Sequence, residues 1–218
     1  MALIENVRLF LSNRKLKKLR LEIKSKIVQN GSVIEIRRGT TVTFVEGSCR
    51  GDIVVGENVM LNGCHLLSSN HGKIVLGNNT KLGKNTKLTA VEGIVIGDYS
   101  AVAQNVTIID NNTHPVNPEY RQYMRLTPHN DDARSMIHAD HKQIVIGKNC
   151  WIGENSRIQK GVTVGDNAVV AACSVVTKDV PSNSIAAGNP AKIVKTDIDR
   201  IPAPKSCEEF NKYIESKK

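Results

Sequence analysis

Between Ile146 and Val176 an aliphatic residue stands at every sixth position: Ile146, Ile152, Ile158, Val164, Val170 and Val176. The position after the anchor is often small or turn-forming (Gly147, Gly153, Gly165, Ala171), and the position four after it is usually compact (Cys150, Ser156, Val162, Ala168, Ser174). A helix repeats every 3.6 residues and a half-buried strand every two, so neither alone gives this period. A short strand, a turn and another short strand do. The pattern predicts a hexapeptide solenoid.

The same phase runs upstream through Leu76, Leu82, Leu88 and through Ile96, Val102, Ile108, with weaker sets at Val55, Leu61, Leu67 and at Ile36, Val42. Three hexads close one triangular turn. The chain therefore predicts about six coils, stacked about 4.8 Å apart into a prism on the order of 29 Å long. Each anchor points inward, where converging walls leave room for one medium side chain. Burying a Val or Ile contributes roughly 1.5–3 kcal/mol. Such anchors can hold a 218-residue chain that has only one Trp, three Phe and four Tyr.

A stack cannot cover its own two ends, so caps are expected. Residues 1–30 read as a basic helical cap, 31–180 as the β-helix and 181–218 as a closing segment ending in a short helix. Residues 1–26 carry Arg8, Arg14, Lys15, Lys17, Lys18, Arg20, Lys24 and Lys26 against Glu5 and Glu22, which is +6 of the chain's formal +9. Leu9, Leu16, Leu19 and Ile23 recur there at helical spacing. Two readings stay open for this segment: a solvated capping helix, or a peripheral contact with an anionic membrane. Nucleic acid is not expected, because no aromatic residues interleave the charges and no binding module is recognised.

No apolar run of about 18 residues and no signal peptide are visible, and a cytoplasmic location is expected. The five Cys, an odd number without a CxxC, read as thiols of a reducing compartment, neither bridges nor zinc ligands.

The phase breaks between Ile108 and Ile146, an excursion assigned to residues 110–143. Long departures from a regular stack are costly to order and are often functional. This one holds Asn112-Thr113-His114-Pro115, then Tyr120, Arg121, Tyr123, Arg125, His129, Arg134, His138 and His141. No HxH or HxxxH pair rides on a predicted helix or strand, so no metal site is expected. His114 stands four residues past Asp110, where the regular coil ends, and an imidazole can take a proton from a hydroxyl near neutral pH. An ordinary loop hydrogen bond is the other reading. Trp151 precedes the anchor Ile152, so it points outward and needs a partner: another subunit, a cofactor chain or a sugar face.

The hexads from Val55 onward, the excursion with Asn112-Thr113-His114-Pro115, the run Ile146–Gly153 and Ala187-Gly188-Asn189-Pro190-Ala191-Lys192 together resemble the hexapeptide-repeat acyltransferase family. Within it the chain is most similar to sugar and polysaccharide O-acetyltransferases, over about residues 50–195. The resemblance implies an all-β, left-handed parallel β-helix with short terminal helices. It also implies a homotrimer with a site in each cleft between prisms, acetyl-CoA as acetyl donor and a small-molecule or glycan acceptor.

His114 matches the family's general base and Trp151 the aromatic at the acceptor and thioester. Gly188, Pro190, Ala191 and Lys192 match the segment near the nucleotide end of CoA, with Lys178 or Lys195 as further phosphate partners. Asn85, Asp110, Arg121, Tyr123 and Arg125 are the remaining candidates for the acceptor pocket, Asp110 as an orienter of His114. The arginines meet an acidic sugar or merely solvate the loop. N-acetylation of a nucleotide-linked amino sugar is the alternative reaction, and a non-enzymatic or metal-binding β-helix the alternative class.

Overall fold

The computed structural model describes residues 2–204 and 206–216; the side chains of residues 2–10, Glu5, Arg8 and Leu9 among them, and of residue 211 lie outside that description. Three parallel walls wind into six coils. The first wall stacks Val28–Gln29, Ile53–Val55, Lys73–Leu76, Gly93–Ile96, Ile144–Ile146 and Thr163–Val164. The second stacks Ile34–Arg37, Val59–Asn62, Lys81–Leu82, Ala101–Val102, Trp151–Ile152, Val169–Val170 and Ile185–Gly188, and closes with Ala191–Lys195 antiparallel. The third stacks Thr41–Val45, His65–Ser69, Lys87–Ala90, Thr107–Ile109, Arg157–Ile158 and Val175–Val176.

The anchors fall in register up each wall. Val55, Leu76, Ile96, Ile146 and Val164 form one inner column, and Leu61, Leu82, Val102, Ile152 and Val170 the next, all 3% exposed or less. One expected anchor is corrected. Leu66, not Leu67, is buried and pairs with Val42 and Leu88. The step from Leu61 is one residue short, and a one-residue slip turns the opposite face of a strand inward.

Several polar residues four past an anchor bond coil to coil, Ser100, Ser156 and Ser174 among them. The Ser100 hydroxyl donates to the Gly147 carbonyl at 2.8 Å and accepts the Cys150 N–H at 2.9 Å. Cys64 and Cys150 occupy the same kind of position, and burial pushes the Cys64 thiol up to about 12. Both thiols are therefore inert packing groups.

Corners turn through the left-handed region three residues past an anchor. Asn58, Asn79, Asn85, Asn105, Asn149, Asn155, Asn167 and Asn183 all have φ between +54° and +59°. Asparagine tolerates that conformation, and its amide bonds up the stack, as in Asn149 to Asn167 (3.0 Å) and Asn167 to Asn183 (2.8 Å). Tyr99, φ +61° and exposed, interrupts this ladder.

The N-terminal cap is one helix, α1 (Ala2–Lys26), 25 residues long where a short one was expected. No Gly or Pro interrupts residues 2–26, which are rich in good helix formers, so nothing stops the helix early. Leu16 and Leu19 are half-buried and Ile23 is buried on the open end of the first coil, where Arg20 Nε donates to the Ile36 carbonyl at 3.1 Å. At the other end the stack runs past residue 180: Ala186 is a buried anchor paired with Val170. The last helix, α3, spans Glu208–Glu215.

Apart from one extra residue between Gln29 and Ile36, the lengthening of the coil lies at one corner, between third and first walls. The anchor-to-anchor step there is six residues at Ile158–Val164, eight at Leu88–Ile96, ten at Leu66–Leu76 and thirteen at Val42–Val55. The excursion leaves by this corner too. It is structured, with α2 (Pro118–Leu126) followed by two short turns of 3₁₀ helix. Asn117 caps α2 by accepting the Tyr120 N–H at 2.8 Å, and Met124, Ala133 and Ala139 are buried apolar residues of the excursion.

Candidate active site

The neck of the excursion is clamped. Asn111 and His141 face each other in an antiparallel bridge, Lys142 N–H donates to the Asp110 carbonyl at 2.8 Å, and Asn112 N–H to that of Asp140 at 2.9 Å. Beneath it the fully buried Asp110 carboxylate accepts the N–H groups of Val91, Glu92 and Gly93 at 2.7–3.0 Å, and the Asn111 amide at 3.0 Å. His141 Nδ1 lies 3.2 Å from Glu92 on the adjoining corner.

Thr113 follows at φ +62°, its N–H held by the Asn111 side chain at 2.8 Å. A β-branched residue in that region is an outlier that surroundings must enforce, and such strain gathers at functional sites. The next residue is His114, exposed and followed by buried Pro115. The imidazole thus sits on an enforced bend, facing solvent.

The next residue, Pro115, lines a hollow of about 520 Å³ together with Asn117, Glu119, Tyr120, Tyr123 and His138. Tyr120 meets Tyr123 edge-on at 6.1 Å and His138 at 5.9 Å between ring centroids. Aromatic faces with carboxylate and amide groups around them suit a ring bearing hydroxyls. The sequence reading placed Tyr123 here but missed Tyr120, Asn117, Glu119 and His138; the Asn117-Pro118 helix start was the signal available.

Other expected members stand elsewhere. Asn85 belongs to the corner ladder, its amide donating to Asn105 at 3.2 Å. The Asp110 carboxylate is occupied by backbone and Asn111 donors and makes no hydrogen bond to His114 among those of the described residues, so it fixes the neck instead. Arg121 donates to the Val116 carbonyl across the start of α2, and Arg125 is exposed in its last turn.

Trp151 lies on the outer face of the second wall, 57% exposed, between Ala101 and Val169 in register. These small neighbours leave its indole uncovered. Its column continues outward through Val169 and Ile185 to Lys195, an apolar track ending in a cation. The hairpin turn at that end carries Gly188, with φ +100° and its N–H on Ser174 Oγ at 3.1 Å, a cis Asn189–Pro190 bond and Ala191. Lys178 and Lys192 are both exposed, Lys192 opposite Ala187 in the hairpin. An apolar track with cations at its end fits a pantetheine arm leading to phosphates.

His114 and Trp151 belong to different elements of the prism. The excursion springs from the corner between third and first walls, and Trp151 stands on the second wall, opposite that corner.

Fold and site together define a parallel β-helix with an exposed histidine on an inserted loop. The description "Bacterial transferase hexapeptide (six repeats)" matches residues 143–178, and "Hexapeptide repeat of succinyl-transferase" residues 73–109. A putative lipopolysaccharide biosynthesis O-acetyl transferase of Escherichia coli is 30% identical over 66% of this chain and 72% of its own length. Galactoside O-acetyltransferase of E. coli is 38% identical, the match spanning 57% of each chain. An N-acyltransferase of Bacillus cereus, solved with dTDP and coenzyme A, shares the fold: TM-score 0.64 at 21% identity, over 93% of this chain and 96% of that one. The chain belongs to the hexapeptide-repeat acetyltransferase family.

Proposed function

We propose that the protein transfers an acetyl group from acetyl-CoA to a hydroxyl of a sugar or polysaccharide. The observation that carries this reading is His114, exposed on an enforced bend, with the next residue, Pro115, lining the aromatic hollow of Tyr120, Tyr123 and His138. The O-acetyltransferase relatives support a hydroxyl acceptor. Acetyl-CoA supplies the activated acyl group. His114 takes the proton of the acceptor hydroxyl as its oxygen attacks the thioester carbonyl, then returns it to the departing sulfur. Holding acceptor and donor side by side supplies a further share of the rate. Glu119 and Asn117 orient acceptor hydroxyls in the hollow, and Lys178, Lys192 and Lys195 hold the phosphates at the far end of the Trp151 track.

The working unit in this reading is a homotrimer, each site pairing His114 of one copy with Trp151 of the next. Such a head-to-tail contact closes into a ring when the rotation fits. The first wall lies between the excursion corner and the second wall, so this rotation turns it toward the axis. Its outer column is Val28, Val54, Val75, Val95 and Val145, an apolar strip that suits that position. Mixing inactive His114→Ala chains with Trp151→Ala chains through reversible unfolding is expected to restore activity above either parent, because some clefts regain both groups. Mixtures no better than the Trp151→Ala parent would show that the two residues do not share a cleft.

A panel of free sugars, nucleotide sugars and polysaccharides, read by CoA release on chromatography, tests the reaction itself. Transfer confined to an amino sugar would replace this reading with N-acetylation.

We also place the protein in the cytoplasm, docked on an anionic membrane through α1, whose Leu11 and Leu21 are exposed among Arg14, Lys15, Lys17 and Lys18. No described helix is long and apolar enough to cross a membrane. Sedimentation with phosphatidylglycerol-containing vesicles, and not with pure phosphatidylcholine, is expected at low salt. Equal recovery with both would remove the electrostatic contact.

A further inference from the structure

We propose that Cys49, Asp52 and His71 form a binding site for a zinc-like divalent metal ion, built across the corners of two successive coils. Thiol sulfur, imidazole nitrogen and a carboxylate oxygen all lie within 4.8 Å of one another. The three residues are far apart for a sequence motif, and only coil stacking brings them together. The strands on both sides of the corner are paired, Thr41–Val45 with His65–Ser69 and Ile53–Val55 with Lys73–Leu76, so the approach is fixed by backbone.

Each ligand is held in place. Asp52 is 1% exposed, accepts the Cys49 N–H at 2.7 Å, and has one oxygen 2.6 Å from Lys73 Nζ and the other 3.4 Å from His71 Nδ1. His71 has φ +62°, and its N–H is fixed on Ser48 Oγ at 2.8 Å. Gly47 flanks the ring: an added Cβ would stand 3.3 Å from Nε2.

An ion pair with Lys73 accounts for one oxygen of Asp52. The Cys49 N–H and the His71 imidazole reach the other, and the Cys49 thiol completes a group of three donors of different chemistry there. Sulfur, nitrogen and oxygen donors are the set zinc and cobalt accept, at about 2.3 Å for sulfur and about 2.0–2.2 Å for the others. With Lys73 left on the second oxygen, thiolate and carboxylate leave one net negative charge for the cation. Cys49 and His71 are exposed, so the ion can enter, and a fourth position stays open to water. Lys73 then acts as an outer partner that orients the carboxylate.

The test is a cobalt titration of reduced, metal-free protein. A thiolate-to-cobalt charge-transfer band saturating at one equivalent per chain, and lost on adding zinc, is the expected result. Cys49→Ser should abolish the band, and His71→Ala should weaken binding at least about tenfold. Unfolding curves in chelator, unchanged in both variants, would show that the fold is intact. No band, a band without saturation, or a band that survives Cys49→Ser through the exposed thiols of Cys173 or Cys207 would overturn the site.

Discussion

Replacing His114 with alanine is expected to lower acetyl transfer by about 10²–10⁴-fold, the usual share of a positioned general base. Affinity for acetyl-CoA should stay within a few fold, because in the proposed reading the donor lies along the Trp151 track rather than on the imidazole. The measurement is CoA release by chromatography, since the exposed thiols of Cys49, Cys173 and Cys207 would react with a thiol dye. Calorimetric titration with CoA supplies the second readout. A variant that turns over at the parent rate would remove His114 from the chemistry. A variant that loses CoA binding as well would make it a donor contact instead.

The second large effect concerns stability. Asp110→Ala is expected to cost roughly 3–5 kcal/mol, because it strands the N–H groups of Val91, Glu92 and Gly93 in a buried corner. Asp110→Asn keeps an acceptor oxygen and should lose less. Denaturant unfolding would measure both. Limited proteolysis should show the excursion of the alanine variant cut before the stack is. A change below about 0.5 kcal/mol, the range of ordinary surface substitutions, would mean that the corner is held without this carboxylate.

These two residues, four apart in sequence, show what the chain discloses and what it withholds. The wall anchors were legible because each obeys a steric rule at fixed spacing: Ile146, Ile152 and Ile158 fill the only space open to them. Leu67 misled because a corner one residue short resets the phase, and nothing local announces it. Asparagines three past an anchor were a signal in plain view, and Asn85 is one of them, its amide in the corner ladder. Asp110 could not be placed from sequence, because its partners are backbone groups on the preceding coil.

His114 was singled out in the sequence by its place four past Asp110, by Pro115 after it and by the family resemblance. The hollow that Pro115 lines was not: Tyr120, Tyr123 and His138 converge only after α2 and the 3₁₀ turns fold back on each other. Cys49, Asp52 and His71 were hidden for the same reason, lying on neighbouring floors of the stack.

Because Asn111 and His141 already meet across the neck, a short turn joining them would take out the intervening segment without moving any anchor. In the proposed reading the acceptor side is thus carried by a stretch separable from the scaffold, while the donor track stays on the stack. New acceptor preferences can arise by exchange of that one segment, while the post beneath keeps its register.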